Sequence, residues 1–202
     1  MKRIFITGIG TDIGKTIVSA IITEALHADY WKPVQSGELH NTDTMKVKQL
    51  VSNSKTIFHT ERFRLQQPLS PHAAAEIDGV EIQLKDFLLP KTDNHLIIEG
   101  AGGLMVPLNN QLLIADLIKH FEASVILVSR NYLGSINHTL LTIQELRRRN
   151  IPIIGIVFNG EHTQQIENYI QQFTQLPILF RVNMESIINK QTILKYANKI
   201  NL

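Results

Sequence analysis

Near its N-terminus the sequence reads Gly8-Ile9-Gly10-Thr11-Asp12-Ile13-Gly14-Lys15-Thr16. Glycines let a chain turn so that its backbone N–H groups converge on an anion. A lysine after the last glycine adds a full positive charge, and a threonine beside it offers a hydroxyl to a hard cation. These residues predict a phosphate-binding loop with Thr16 directed at Mg²⁺. The strict spacing G-x-x-x-x-G-K-[ST] is not met, because Ile9 stands where its first glycine belongs, between Gly8 and Gly10. Gly-Lys-Thr also arises by chance in ordinary turns. The context decides for phosphate: the apolar run Arg3–Thr7 precedes the loop and a helix-like segment, Ile17–Leu26, follows it.

A metal-bound nucleotide needs carboxylates. Glu99 ends the apolar run Leu96-Ile97-Ile98, and Gly100-Ala101-Gly102-Gly103 after it lets backbone approach phosphate closely. Asp43, in His40-Asn41-Thr42-Asp43-Thr44, is a candidate second metal carboxylate, although taken alone it reads more readily as a helix N-terminal acid. Lys32 lies in Trp31-Lys32-Pro33-Val34-Gln35-Ser36-Gly37 at a strand end, where an ammonium either snorkels into solvent or stabilises developing negative charge. Spacing does not choose between these. Asn159 closes the run Ile153–Phe158, a position typical of turn residues.

The elements that would hold these residues alternate. Six β-rich runs are predicted at Arg3–Thr7, Tyr30–Val34, His95–Glu99, Ser124–Val128, Ile153–Phe158 and Ile178–Val182. Most are apolar throughout, as in strands buried on both faces of a parallel sheet. Amphipathic segments, Leu112–Phe121, Asn137–Arg149 and Thr163–Phe173, lie between them. The expectation is one α/β domain over 1–202, a doubly wound, mostly parallel sheet with helices on both faces and ligands beyond the carboxyl ends of its strands. Asp78–Lys91 reads as a peripheral excursion whose helix Pro90 stops.

Composition fits this picture. The 202 residues are 44% hydrophobic and 19% charged, enough for one real core. The net charge of +2 does not call for a nucleic-acid partner. With no cysteine there is no disulfide, thiolate metal site or cysteine nucleophile. No apolar run nears the ~20 residues that cross a bilayer, so a cytoplasmic location without membrane contact is expected. Arg147-Arg148-Arg149 closes a helix, where cations suit the macrodipole. The eight histidines, His72 and His138 included, show no metal-ligand spacing, and Leu133-Gly134-Ser135 lacks the second glycine of a nucleophile elbow.

GIGTDIGKT, KPVQSG at 32–37, SPHAAA at 70–75, EGAGGLMVPL at 99–108, LGSINHTLLT at 133–142 and GIVFNG at 155–160 together resemble the dethiobiotin synthetase family, in its order and over most of the chain. That family uses a phosphate loop with five residues between its glycines, which Gly8 and Gly14 satisfy. Two departures stand out: Gly10 where the family often has Asp, and Arg181-Val182-Asn183-Met184 where it usually shows a glycine and a proline.

The resemblance implies a P-loop NTPase-like fold and an ATP- and Mg²⁺-dependent ligase of biotin biosynthesis. Its substrates are 7,8-diaminononanoate, CO₂ and ATP. One amine becomes a carbamate, ATP phosphorylates it to a carbamic–phosphoric anhydride, and the second amine closes the ureido ring. Carried over by position, Lys15 and the backbone of Asp12, Ile13, Gly14, Thr16 and Ile17 bind phosphates. Thr16, Asp43 and Glu99 hold Mg²⁺. Lys32, with Lys15, is catalytic, and Thr11 and Ser36 contact substrate. Glu99, Gly100, Ala101 and Gly102 line the nucleotide pocket, while Asn159, Gly160, Asn183 and Met184 lie at its base end. The family is a homodimer whose substrate tail reaches the partner near Gly134-Ser135-Ile136-Asn137. A plain helix start capped by Ser135 is the other reading of that segment.

The strongest rival is a nucleotide switch of the partitioning and cell-division ATPase type. Such proteins usually carry an extra lysine early in the loop, where Ile9 stands, and some end in a basic amphipathic helix; Lys190, Lys195 and Lys199 within Ile187–Leu202 would supply one. An amide-forming ligase fed by a cysteine-dependent glutaminase is a second rival, against which the absence of cysteine stands.

Overall fold

The computed structural model describes residues 1–200. Among the described residues nine strands and seven α-helices follow in the order β1 Arg3–Gly8, α1 Lys15–Leu26, β2 Asp29–Trp31, β3 Val34–Ser36, α2 Asp43–Leu50, β4 Phe58–His59, β5 Phe63–Leu65, α3 Pro71–Ile77, β6 Leu96–Gly103, α4 Ile114–His120, β7 Ser124–Arg130, α5 Ser135–Arg148, β8 Ile153–Asn159, α6 Gln164–Thr174, β9 Ile178–Val182 and α7 Lys190–Ala197. Seven strands form one sheet in the order β4-β2-β6-β1-β7-β8-β9, and every pair in it is parallel. β3 and β5 make a second, two-stranded parallel sheet.

Strand side chains alternate between two cores. Ile4, Ile6, Ile97, Ile126, Val128 and Val157 face α1, α2 and α7, whereas Phe5, Leu96, Ile98, Val125, Leu127 and Ile156 face the side of α4, α5 and α6. A period of two with both faces apolar is the signature of a central parallel strand, which explains the continuous apolar runs in the sequence.

Several predicted boundaries move, each for a local reason. The run Tyr30–Val34 is two strands, not one: Pro33 has no N–H to donate, and the chain breaks at Lys32-Pro33 before β3 begins. β6 starts at Leu96 and continues through Gly100–Gly103 instead of ending at Glu99, because after a bulge Gly103 still pairs with Gly8 of β1. Asp78–Lys91 contains a single 3₁₀ turn, Leu84–Asp86. Ser135 is the first residue of α5, and Gly134, at φ 99°, occupies the cap position. Three short elements had not been expected, β4, β5 and α3, whereas α2 is the helix that the N-terminal-acid reading of Asp43 implied.

The C-terminal helix is no free amphipathic anchor. Ile193, Tyr196 and Ala197 of α7 are buried and the helix packs on α1; the last two residues of the predicted tail, Asn201 and Leu202, lie outside the described residues. No helix among the described residues is long and apolar enough to cross a membrane. The arginine run is spent internally: Arg147 donates to the Thr174 carbonyl, Arg148 pairs with Glu145, and Arg149 pairs with Glu145 and Asp116.

Candidate active site

The glycine-rich loop bridges the end of β1 and the start of α1. The Ile9 N–H donates to the Val128 carbonyl of β7 at 3.1 Å, fixing the loop's entry. Asp12 (φ 55°) and Gly14 (φ 91°) are both left-handed, an alternation that turns successive N–H groups toward one side as an anion nest. Gly14 is obligatory on two counts, since a Cβ there would also lie 2.1 Å from the Asn159 side-chain nitrogen. Gly10 has open space around it, so a side chain would fit. What the loop uses at Gly10 is its carbonyl, which accepts from Lys15 Nζ at 3.0 Å. Burial pulls the Lys15 ammonium down to a pKa of about 8, and the nearby Lys32 charge adds to this against the pull of Glu99 and Asp43.

Beside the loop lies a buried charge cluster. Glu99, on β6, is 1% exposed. Its Oε1 accepts from Thr16 Oγ1 at 2.9 Å and from Lys32 Nζ at 3.2 Å, while its Oε2 accepts from the Tyr30 hydroxyl at 2.9 Å. Lys32 reaches this point because the break between β2 and β3 releases it at the carboxyl edge of the sheet. The same ammonium is ion-paired with Asp43. Asp43 opens α2, capped by Thr42, and its N–H donates to Gln35 Oε1 at 3.1 Å. Lys46, one turn along α2, approaches Asp43 at 3.5 Å and Glu38 at 2.7 Å. Asp43 is thus both a helix N-terminal acid and a member of the cluster.

Burial would discharge Lys32, but Glu99 and Asp43 outweigh it and hold its pKa above the usual lysine value. Burial likewise opposes the ionised Asp43, and Lys32 with Lys46 prevails, keeping that carboxyl below the ordinary range. Burial and the Glu99 charge push the Tyr30 hydroxyl well up, so it stays a donor. The cluster therefore presents two carboxylates and a hydroxyl, all oxygen donors, around a point where a cation already stands: the Lys32 ammonium. That donor set fits a hard divalent ion. Among the described residues no group of three or more His, Cys, Asp or Glu could cage a metal, so an ion here would rely on phosphate oxygens and water.

These groups open into a cleft of about 1000 Å³. Of the predicted site residues, Thr11, Asp12, Gly14, Lys15, Thr16, Ile17, Lys32, Ser36, Asp43, Glu99, Ala101 and Gly102 line it. Six do not. Ile13 is buried under the loop, Gly100 sits against Phe5, and the Asn159 side chain donates to the Ile13 carbonyl at 2.9 Å, buttressing the loop from behind. Gly160 donates to the Val182 carbonyl, Asn183 N–H to the Tyr196 hydroxyl, and Met184 is exposed; from that rim it is Ile188 that reaches the cleft. Sequence reasoning missed Tyr30, Gln35, Lys46 and Ile188. For two of them a signal existed: Lys46 is three residues after Asp43 on one helix face, and Gln35 lies inside the quoted KPVQSG. For Tyr30 there was no comparable signal: its strand reads Asp29-Tyr30-Trp31, and only the fold shows which acceptor the buried phenol finds.

The profile of a family described as AAA domain matches residues 2–192. The ATP-dependent dethiobiotin synthetase of Christiangramia forsetii is 52% identical over 198 residues, covering 98% of this chain and 95% of its own. That of Cytophaga hutchinsonii is 54% identical over 99% of this chain and 97% of its own, and that of Chlamydia pneumoniae 46% over 98% and 89%. Solved structures share the fold at low identity. The septum site-determining protein MinD of Pyrococcus horikoshii, complexed with Mg-ADP, superposes with a TM-score of 0.59 at 14% identity over 98% of this chain and 95% of its own. A putative plasmid partition protein of Borrelia burgdorferi, bound to AMPPNP, gives 0.57 at 14% over the same shares. With the phosphate loop, the buried Lys32 cluster and near-full-length identity to these enzymes, the chain belongs to the ATP-dependent dethiobiotin synthetase family.

Proposed function

We propose that the chain, acting as one domain over 1–202, converts 7,8-diaminononanoate, CO₂ and ATP to dethiobiotin, ADP and phosphate. The observation that carries this reading is the Lys32 ammonium, buried between Asp43 and Glu99 beside a phosphate loop that already has Lys15. A protein that only binds and releases nucleotide has no need of a second buried cation on the far side of the phosphates.

The chemistry requires such a cation. One amine of the substrate adds to CO₂, forming a C–N bond and losing a proton to give a carbamate. A carbamate oxygen attacks the γ-phosphorus of ATP and ADP leaves. The second amine then attacks the carbonyl carbon and gives up a proton, the C–O bond to phosphate breaks, and phosphate departs with the bridging oxygen. The attack on phosphorus brings two anions together, and their repulsion grows as water is excluded between them. Lys15 and the loop N–H groups hold the phosphates from one side, and Lys32 neutralises the carbamate from the other. Thr11 and Ser36, both lining the cleft, contact the diamine. Glu99, Ala101 and Gly102 flank the nucleotide, Asn159 supports the phosphate loop from behind, and Gly160, Asn183 and Met184 are assigned to the base end.

Thr16, Asp43 and Glu99 would hold Mg²⁺, which when bound neutralises charge on the β- and γ-phosphates. Leu133, fully exposed, and Tyr132 flank the N-terminus of α5 at Gly134–Asn137, and we assign this apolar corner to a homodimer contact near the substrate tail. Neither membrane nor nucleic acid takes part, and the reaction is placed in the cytoplasm. The test is ADP release with Mg-ATP, bicarbonate and diamine, omitting each in turn. Release that needs all three supports the enzyme, and release indifferent to the diamine supports a switch.

A further inference from the structure

The two oxygens of Glu99 live in different surroundings. Oε1 faces the loop and cleft, taking Thr16 Oγ1 and Lys32 Nζ. Oε2 faces inward and takes only the Tyr30 hydroxyl. Tyr30 has no freedom to move: it is fully buried, its ring packs at 6.2 Å from that of Phe58, and its backbone is paired on both sides, with Ile97 of β6 and Phe58 of β4. A buried phenol needs an acceptor, but any backbone carbonyl would serve. This one is spent on the carboxylate at the centre of the site.

We infer that Tyr30 is a positioning residue that lets Glu99 present one oxygen to the cleft, and so favours a small octahedral cation such as Mg²⁺ over a larger one such as Ca²⁺. The inference rests on Glu99 being a metal ligand, as proposed above. Mg²⁺ keeps near-ideal octahedral geometry at about 2.0–2.1 Å and takes one oxygen from a carboxylate while retaining waters; Ca²⁺ takes more ligands at about 2.3–2.6 Å and often both oxygens of a carboxylate. A carboxylate free to rotate can offer either. One pinned through Oε2 to a rigid phenol cannot turn that oxygen toward the cleft without breaking its hydrogen bond and leaving the hydroxyl buried without a partner. Partners behind a metal ligand commonly change metal affinity by about 10- to 100-fold when removed.

The experiment is calorimetric titration of ADP in MgCl₂ or in CaCl₂ into four proteins: the parent, Tyr30→Phe, Glu99→Gln and the double variant. Tyr30→Phe keeps the ring and removes only the donor. It is expected to reduce the Mg²⁺-dependent gain in ADP affinity by about 10-fold, to reduce the Ca²⁺-dependent gain clearly less, and to add nothing in the Glu99→Gln background. If Glu99→Gln itself leaves the metal dependence of ADP binding unchanged, the reading of Glu99 as a ligand is overturned. If Glu99→Gln changes that dependence while Tyr30→Phe leaves the Mg²⁺/Ca²⁺ ratio at the parent's value, the role of Tyr30 is overturned. Should Tyr30→Phe fail to fold, infrared difference spectra of the parent against Glu99→Gln with Mg-ADP decide it. Carboxylate stretches of single-oxygen coordination support the inference, and those of two-oxygen coordination overturn it.

Discussion

Replacing Lys32 by alanine should do two separable things, and their combination follows from its place in the cluster. Nζ lies 3.2 Å from Glu99 Oε1 and is also paired with Asp43, with 5% of the residue exposed. At an effective dielectric constant of about 20, one such contact is worth about 5 kcal/mol of gross attraction, against which stands the cost of burying the ammonium. Removing only the lysine leaves both acids uncompensated, and breaking a buried pair in this way costs about 3–5 kcal/mol. Lys46 near Asp43, and the Thr16 and Tyr30 hydroxyls on Glu99, moderate the loss, so about 3 kcal/mol is expected. For a chain of this length that lowers the melting temperature by about 6–12 °C. A cation supplied from solution should restore it, so the variant is expected to gain more thermal stability from MgCl₂ than the parent does. Turnover, by contrast, should not recover, falling about 10²- to 10³-fold as for other preorganised charges. The assays are thermal unfolding across an MgCl₂ series and product formation at saturating substrates. A Lys32→Ala protein with parental melting temperature, no extra response to MgCl₂ and near-parental turnover would refute the reasoning and return this lysine to an ordinary structural role.

Lys15→Ala should lose most ATP affinity while keeping its fold, read by calorimetry, because charge-assisted phosphate contacts are roughly twice as strong as neutral ones. The Lys15 pKa of about 8 lies below the ordinary 10.5, so between these values the unfolded chain binds more protons and stability of the free protein rises with pH. ATP affinity should move the other way, weakening above about 8, with proton uptake on binding near that pH that Lys15→Arg abolishes. Asp43→Asn and Glu99→Gln should each raise the Mg²⁺ concentration needed for half-maximal turnover without unfolding the protein, and parental Mg²⁺ curves for both would remove the metal roles. Leu133→Asp, on the fully exposed apolar corner before α5, should shift the sedimentation coefficient from dimer to monomer; an unchanged coefficient would place the contact elsewhere.

The parallel sheet was legible because its central strands are apolar on both faces, and the phosphate loop because glycine, lysine and threonine sit between a strand and a helix. What escaped was set by tertiary pairing. Tyr30–Val34 reads as one strand until the missing N–H of Pro33 is weighed against the partners that β3 finds in β5. The strand reads as ending at Glu99, since nothing local reveals that Gly8 pairs with Gly103. The residue types of the cluster were visible, but not their union. Asp43 lies 11 residues and Glu99 67 residues from Lys32, and no spacing rule says that one ammonium bridges both acids. Tyr30 was invisible for the same reason: its role exists only once β2 lies against β6. At the base end the sequence named Asn159, Asn183 and Met184, whereas the fold directs Asn159 to the loop and brings Ile188 to the cleft.

The most direct test of the central claim follows the oxygen atoms. With bicarbonate labelled in both carbon and oxygen, under a single turnover of Mg-ATP and 7,8-diaminononanoate, carboxylation followed by phosphorylation of the carbamate predicts labelled carbon in the ureido ring and one labelled oxygen in the released phosphate, read together by mass spectrometry. ADP released with unlabelled phosphate, or at the same rate without the diamine, would contradict it.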